Sequence, residues 1–70
     1  MRILKHTIKL STDKLHNASL WCTEKFGYPY WAGNQEGIWH TGPDYSSNWN
    51  KCIFRFEYER DAILFALRWS

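Results

Sequence analysis

Lys51-Cys-Ile-Phe-Arg-Phe-Glu-Tyr-Glu-Arg-Asp-Ala-Ile-Leu-Phe-Ala-Leu-Arg-Trp69 decides how the rest of the chain must fold. Its first part alternates: Cys52, Phe54, Phe56 and Tyr58 fall on one face at period 2, with Ile53, Arg55 and Glu57 on the other. That pattern predicts a strand over 52–58. The period then changes to that of a helix over 60–69, where Ala62, Phe65, Ala66 and Trp69 make one stripe. Glu59 and Asp61 bring negative charge to the first turn and Arg68 positive charge to the last, as the helix dipole favours. Ile63, Leu64 and Leu67 spread apolar surface round the other side. The helix is therefore expected to bury more than one face.

Upstream, Ile3 to Leu10 alternates with Leu4, His6, Ile8 and Leu10 on one face and Ile3, Lys5, Thr7 and Lys9 on the other. This predicts a half-buried strand whose outer lysines discourage aggregation. Ser11 or Thr12 then caps a helix with Asp13 in its first turn. Leu15, Ala18, Cys22 and Phe26 share one face of it, and Gly27 is expected to close it in a left-handed cap. Leu20 and Trp21 lie off that stripe, either covering a loop or exposed.

The segment from Tyr28 to Asn50 is punctuated by Pro29, Gly33, Gly37, Gly42 and Pro43. Gly37 to Thr41 is the best strand within it, ending at a Gly42-Pro43-Asp44 turn. A short strand at Tyr30-Trp31-Ala32 is expected to pair with it across Gly33 to Glu36. The order β-α-β-β-α gives a single α+β domain over 1–70, with two helices on one face of a small antiparallel or mixed sheet. This is a ferredoxin-like unit lacking its last strand. Ile8, Leu10, Leu15, Cys22, Phe26, Phe54, Phe56, Phe65 and Trp69 would form its core. The open edge of the first strand and the apolar last helix predict a homodimer.

Composition narrows the function. The 70 residues include 19% Phe, Trp and Tyr, with five Trp, too many for a domain of this size to hide. Exposed aromatics gather where proteins bind. A net charge of +2, with no run of Lys or Arg, gives little electrostatic argument for nucleic acid. Two cysteines make no disulfide framework, and the N-terminus carries no stretch apolar enough for a signal or membrane span, so a reduced cytoplasmic setting without membrane contact is expected.

His6, His16, His40, Cys22 and Cys52 lack metal-ligand spacing, so no metal or other cofactor is expected. Triads can be drawn from Cys22, His40 and Asp44, or from Ser46, His40 and Asp61, but no nucleophile motif supports either and catalysis is not expected. The best site is the middle segment: Tyr28, Tyr30, Trp31, Trp39, His40, Tyr45 and Trp49, interleaved with Asn34, Gln35, Asp44, Ser46, Ser47 and Asn48. Rigid rings among short hydrogen-bonding side chains suit a partner surface. Alternatively Trp39 and Trp49 form a cross-strand pair covering the sheet face opposite the helices. A second class of function, a nucleic-acid or nucleotide binding module using exposed aromatics, stays open. The strand over 52–58 does not suit an RNA-recognition platform while its aromatics face the helices.

The run Phe54-x-Phe56-x4-Asp61-Ala62-x-x-Phe65-x-Leu67-Arg68-Trp69 resembles the C-terminal segment of small uncharacterised proteins of tailed bacteriophages. The resemblance covers roughly the last quarter of the chain. It implies the cytoplasm of an infected bacterium, and a non-catalytic protein that inhibits, redirects or neutralises a host protein or a small host ligand. It assigns no role to any residue.

Overall fold

A computed structural model of the chain describes residues 4–31, 33–47 and 50–69. Strand β1 (His6–Ser11) leads through a 3-10 turn at Thr12–Lys14 into helix α1 (Leu15–Phe26). Strand β2 (Trp39–Pro43) follows, then a 3-10 turn at Tyr45–Ser47, strand β3 (Lys51–Phe56) and helix α2 (Glu59–Trp69). The fold is α+β, with one antiparallel sheet in the order β1-β3-β2. β3 is central: Phe54 faces Ile8 on one side and Thr41 on the other, and Arg55 faces Thr7 and His40.

The alternation holds through Phe56, where β3 ends; Tyr58, expected on the same face, lies beyond the strand and is exposed. Cys52, Phe54 and Phe56 are buried while Arg55 is exposed. Both helices meet that aromatic face. Phe65 of α2 lies 4.6 Å from Phe54 and 5.2 Å from Phe56, and Phe26 of α1 lies 5.8 Å from Phe56, ring centre to ring centre. Trp21, off the expected stripe, joins the helices by meeting Phe26 and Phe65 edge-on; Leu20 is exposed. Cys22 and Cys52 are free thiols in the core, and burial pushes Cys22 up to about 12, so both behave as small apolar groups.

Several boundaries differ from expectation, each for a local reason. The first strand runs over His6–Ser11; Ile3 lies outside the described residues. Ser11 places its hydroxyl on the Asp13 carboxylate, so the chain enters α1 through a 3-10 turn without a side-chain cap. Gly27 takes φ +87° and ψ −170°, which is not the left-handed helical cap but is still open to glycine alone without strain. β2 begins two residues late and continues through Gly42 and Pro43, which pair with Ile53 and Cys52. Proline is tolerated there because β2 is an outer strand.

No strand forms at Tyr30-Trp31; Trp31 bridges Asn34 in a tight turn instead, and Ala32 lies outside the described residues. α2 buries one face only, through Asp61, Ala62 and Phe65, and Leu67 is 80% exposed. The sheet lies on one side of it, so Ile63 and Leu64 are left largely in solvent. Trp69 is half-buried against the core, with the Arg68 guanidinium 4.6 Å from its ring.

On the sheet face away from the helices, Lys9 of β1 reaches Asp44, just beyond β2, at 3.1 Å. Asp44 also accepts hydrogen bonds from the Ser46 hydroxyl at 2.7 Å and the Ser46 backbone N–H at 3.2 Å. The Ser46 hydroxyl foremost, then Lys9, holds the Asp44 carboxyl below the usual carboxylate range. A carboxyl held low in the fold stabilises it above the unfolded pKa, about 3.9, and loses that contribution as pH falls through the folded value. Asp44→Asn should therefore lower the melting temperature more at pH 7 than at pH 2. Thermal scans at both pH values check this; an equal loss at both would show that shape rather than charge matters at this position.

Candidate functional site

The middle segment holds its shape through backbone contacts. Trp31 and Asn34 exchange both N–H···O bonds, at 3.2 and 2.8 Å, and the Gly37 N–H donates to the Asn34 carbonyl at 3.4 Å. The Asn34 amide donates to the carbonyls of Tyr28 and Pro29 at 3.2 and 3.0 Å, tying the turn to the chain that enters it. The Tyr30 N–H donates to the Trp39 carbonyl at 2.6 Å, which anchors the loop to the start of β2. Gly37 is buried against the backbone of Pro29 and Tyr30, where any Cβ would collide. A Cβ on Gly33 would strike the six-membered ring of Trp31, so the indole lies flat on the glycine backbone. These two glycines are needed for close approach.

The turn walls a wide-mouthed hollow of about 630 Å³, lined by Phe26, Tyr28, Trp31, Asn34, Glu36 and the glycines at 27, 33 and 37. That volume is within the range of small-molecule sites. Trp31 is 59% exposed and Tyr28 74%.

Among the candidate residues that the structure describes, Tyr28 and Trp31 line this hollow. Trp39 is a correction: it is 1% exposed, stacks on Phe54 at 6.1 Å and 11°, and belongs to the core rather than to a partner surface. Its Nε1–H donates to the Gly27 carbonyl at 2.8 Å. It therefore faces the helices and does not cover the opposite sheet face, as the cross-strand alternative required. His40, its neighbour, lies on that opposite face beside Arg55. Tyr45 is exposed in the 3-10 turn beyond the far end of β2, and Trp49 lies outside the described residues. Tyr30 is half-buried and contributes its backbone.

Comparison with family models, curated proteins and solved structures found no match.

The two drawn triads are not assembled. Cys22 is buried among the helices and Asp61 begins α2 on the same side, while His40 projects from the opposite face of the sheet. Among the described residues, no three His, Cys, Asp or Glu side chains gather to hold a metal ion. No described helix is long and apolar enough to cross a membrane. Glu36 is the lining residue that the sequence reading did not single out. Its signal was the Gly33-x-x-x-Gly37 bracket, which marks where backbone must approach backbone.

Proposed function

We propose that this chain is a non-catalytic binding protein that receives its partner in the hollow beside Gly33, with Tyr28 and Trp31 as the contact residues. The observation that carries the reading is Trp31. A large ring more than half exposed, laid on a glycine and closed in a hydrogen-bonded turn, gives contact area at little ordering cost. In the setting implied by the likeness to tailed-phage proteins, the partner is a host protein or a small host ligand in an infected bacterium. The order β1-β3-β2 supports reading the fold as a ferredoxin-like unit without its last strand. That leaves the outer edge of β1 and the exposed Ile63, Leu64 and Leu67 of α2 as the surfaces for a homodimer.

Trp31→Ala should keep the wild-type stability within about 0.5 kcal/mol, because the ring covers no core. It should weaken partner binding by about 2 kcal/mol or more. Paired pull-downs from bacterial lysate with the wild-type and variant chains, alongside thermal melts, measure both. A variant that melts normally and captures the same partner equally well would remove Trp31 from the site.

One observation favours a second reading. The sheet face away from the helices carries Lys9, Lys51, Arg55 and His40 from three strands, with Asp44 bonded to Lys9, an arrangement invisible to total charge. Oligonucleotide binding that falls steeply with salt and is lost in Arg55→Ala, with Trp31→Ala unaffected, would select it.

A further inference from the structure

The middle loop leaves side chains rather than backbone to meet a partner. The N–H groups of Tyr30, Trp31, Asn34 and Gly37 and the carbonyls of Tyr28 and Pro29 are already bonded within the loop or to β2. They cannot hold a guest as an added strand is held, through a ladder of main-chain bonds. What the lining offers is ring surface, from Phe26, Tyr28 and Trp31, and two ring-borne donors, the Trp31 Nε1–H and the Tyr28 hydroxyl. Gly33 backs the six-membered ring of Trp31 and leaves the pyrrole edge, with its N–H, outside that contact. Among the described lining residues there is no Lys, Arg or His, so a phosphate would find no cationic side chain. The matching guest has ring-sized apolar surface, carries acceptors and needs no main-chain ladder.

Resting on the binding role proposed above, we propose that the hollow takes a proline-rich segment of a partner protein in the polyproline II conformation. Such a segment has no internal hydrogen bonds, so its carbonyls are free to accept, while its prolines have no N–H to satisfy. Its rings dock on aromatic surface, and its extended form is largely preset, so little ordering is lost on docking. The shape of the hollow suits this guest as well, because the mouth is wide and a chain can cross it and leave again. Trp31 and Tyr28, both more than half exposed, take the proline rings. The carbonyls between those rings accept from the indole N–H and the phenol.

The test follows the indole Nε1–H signals of the 15N-labelled chain, assigned by single Trp→Phe variants, during titration with four probes. These are a capped octaproline peptide, a capped Gly-Ser peptide of the same length, N-acetylproline amide, and AMP. The Trp31 signal should shift to saturation with octaproline, about tenfold tighter than with the Gly-Ser peptide or with the single proline at equal proline concentration. Tyr28→Phe, which removes only the hydroxyl of an exposed ring, should weaken octaproline about three- to tenfold and leave the melting temperature as it was. Equal binding of the Gly-Ser peptide or of the single proline, or saturation by AMP in place of octaproline, overturns the proline-rich segment while Trp31 remains the contact. Shifts at other indoles with Trp31 unmoved would overturn both the segment and the site. No shift with any probe would overturn the proline-rich segment, and the pull-down with Trp31→Ala would then decide the site separately.

Discussion

Phe65→Ala is expected to leave the chain largely unfolded. Phe65 is fully buried and touches Phe54, Phe56 and Trp21, so one ring joins α2 to the central strand and to α1. Truncating such a ring costs about 3–5 kcal/mol, from lost transfer energy and the cavity left behind. A core of this size rarely supplies more than about 3–5 kcal/mol in total. Leu67→Ala, two positions along the same helix, removes a side chain that is almost wholly in solvent and should cost no more than about 0.5 kcal/mol. Urea melts of the two variants make the comparison. A folded Phe65→Ala beside an unfolded Leu67→Ala would mean that α2 presents its other face to the sheet.

Trp39→Ala should be nearly as damaging, for reasons that bear on the site. The variant loses the stack on Phe54 and empties the largest fully buried side chain in the core, again about 3–5 kcal/mol. It also leaves the Gly27 carbonyl without the indole N–H at the point where the chain leaves α1 for the hollow. Trp39→Phe keeps a ring but removes that donor, and should retain the fold with a loss of about 0.5–1.5 kcal/mol from the hydrogen bond plus a smaller packing term. Chemical denaturation of both variants measures this. If Trp39→Ala folds normally and instead loses binding, Trp39 is a contact residue and the division of the aromatics drawn above is wrong.

β3 and α2 were legible because their apolar residues keep strict periods. Cys52, Phe54 and Phe56 can be buried together only in an extended chain, and Ala62 and Phe65 only on a helix. What periodicity could not supply was the environment on the far side. Ile63, Leu64 and Leu67 look as buried as Phe65 in sequence, but among the described residues no second layer packs over α2, and all three are exposed. The middle loop was harder because its form depends on contacts between backbones. Gly33 and Gly37 read as turn residues, whereas the structure uses them to admit the Trp31 ring and the Tyr30 backbone. Trp39 and Trp31 carry the same side chain eight residues apart, and composition cannot sort them. The hydrogen bond to Gly27 and the stack on Phe54 place one inside; the turn with Asn34 holds the other out. The sheet face carrying Lys9, Lys51, Arg55 and His40 was missed because its residues come from three separate strands and are brought to one face only through register.

The central claim is that sorting, with Trp39 in the core and Trp31 on the surface as the contact ring. Hydrogen exchange at the assigned indole Nε1–H groups tests it most directly, in the folded chain without any partner. The Trp39 proton, donated to Gly27 and buried, should exchange slowly, close to the rate set by global unfolding, while the Trp31 proton exchanges fast. A protected Trp31 with a freely exchanging Trp39 would contradict the account.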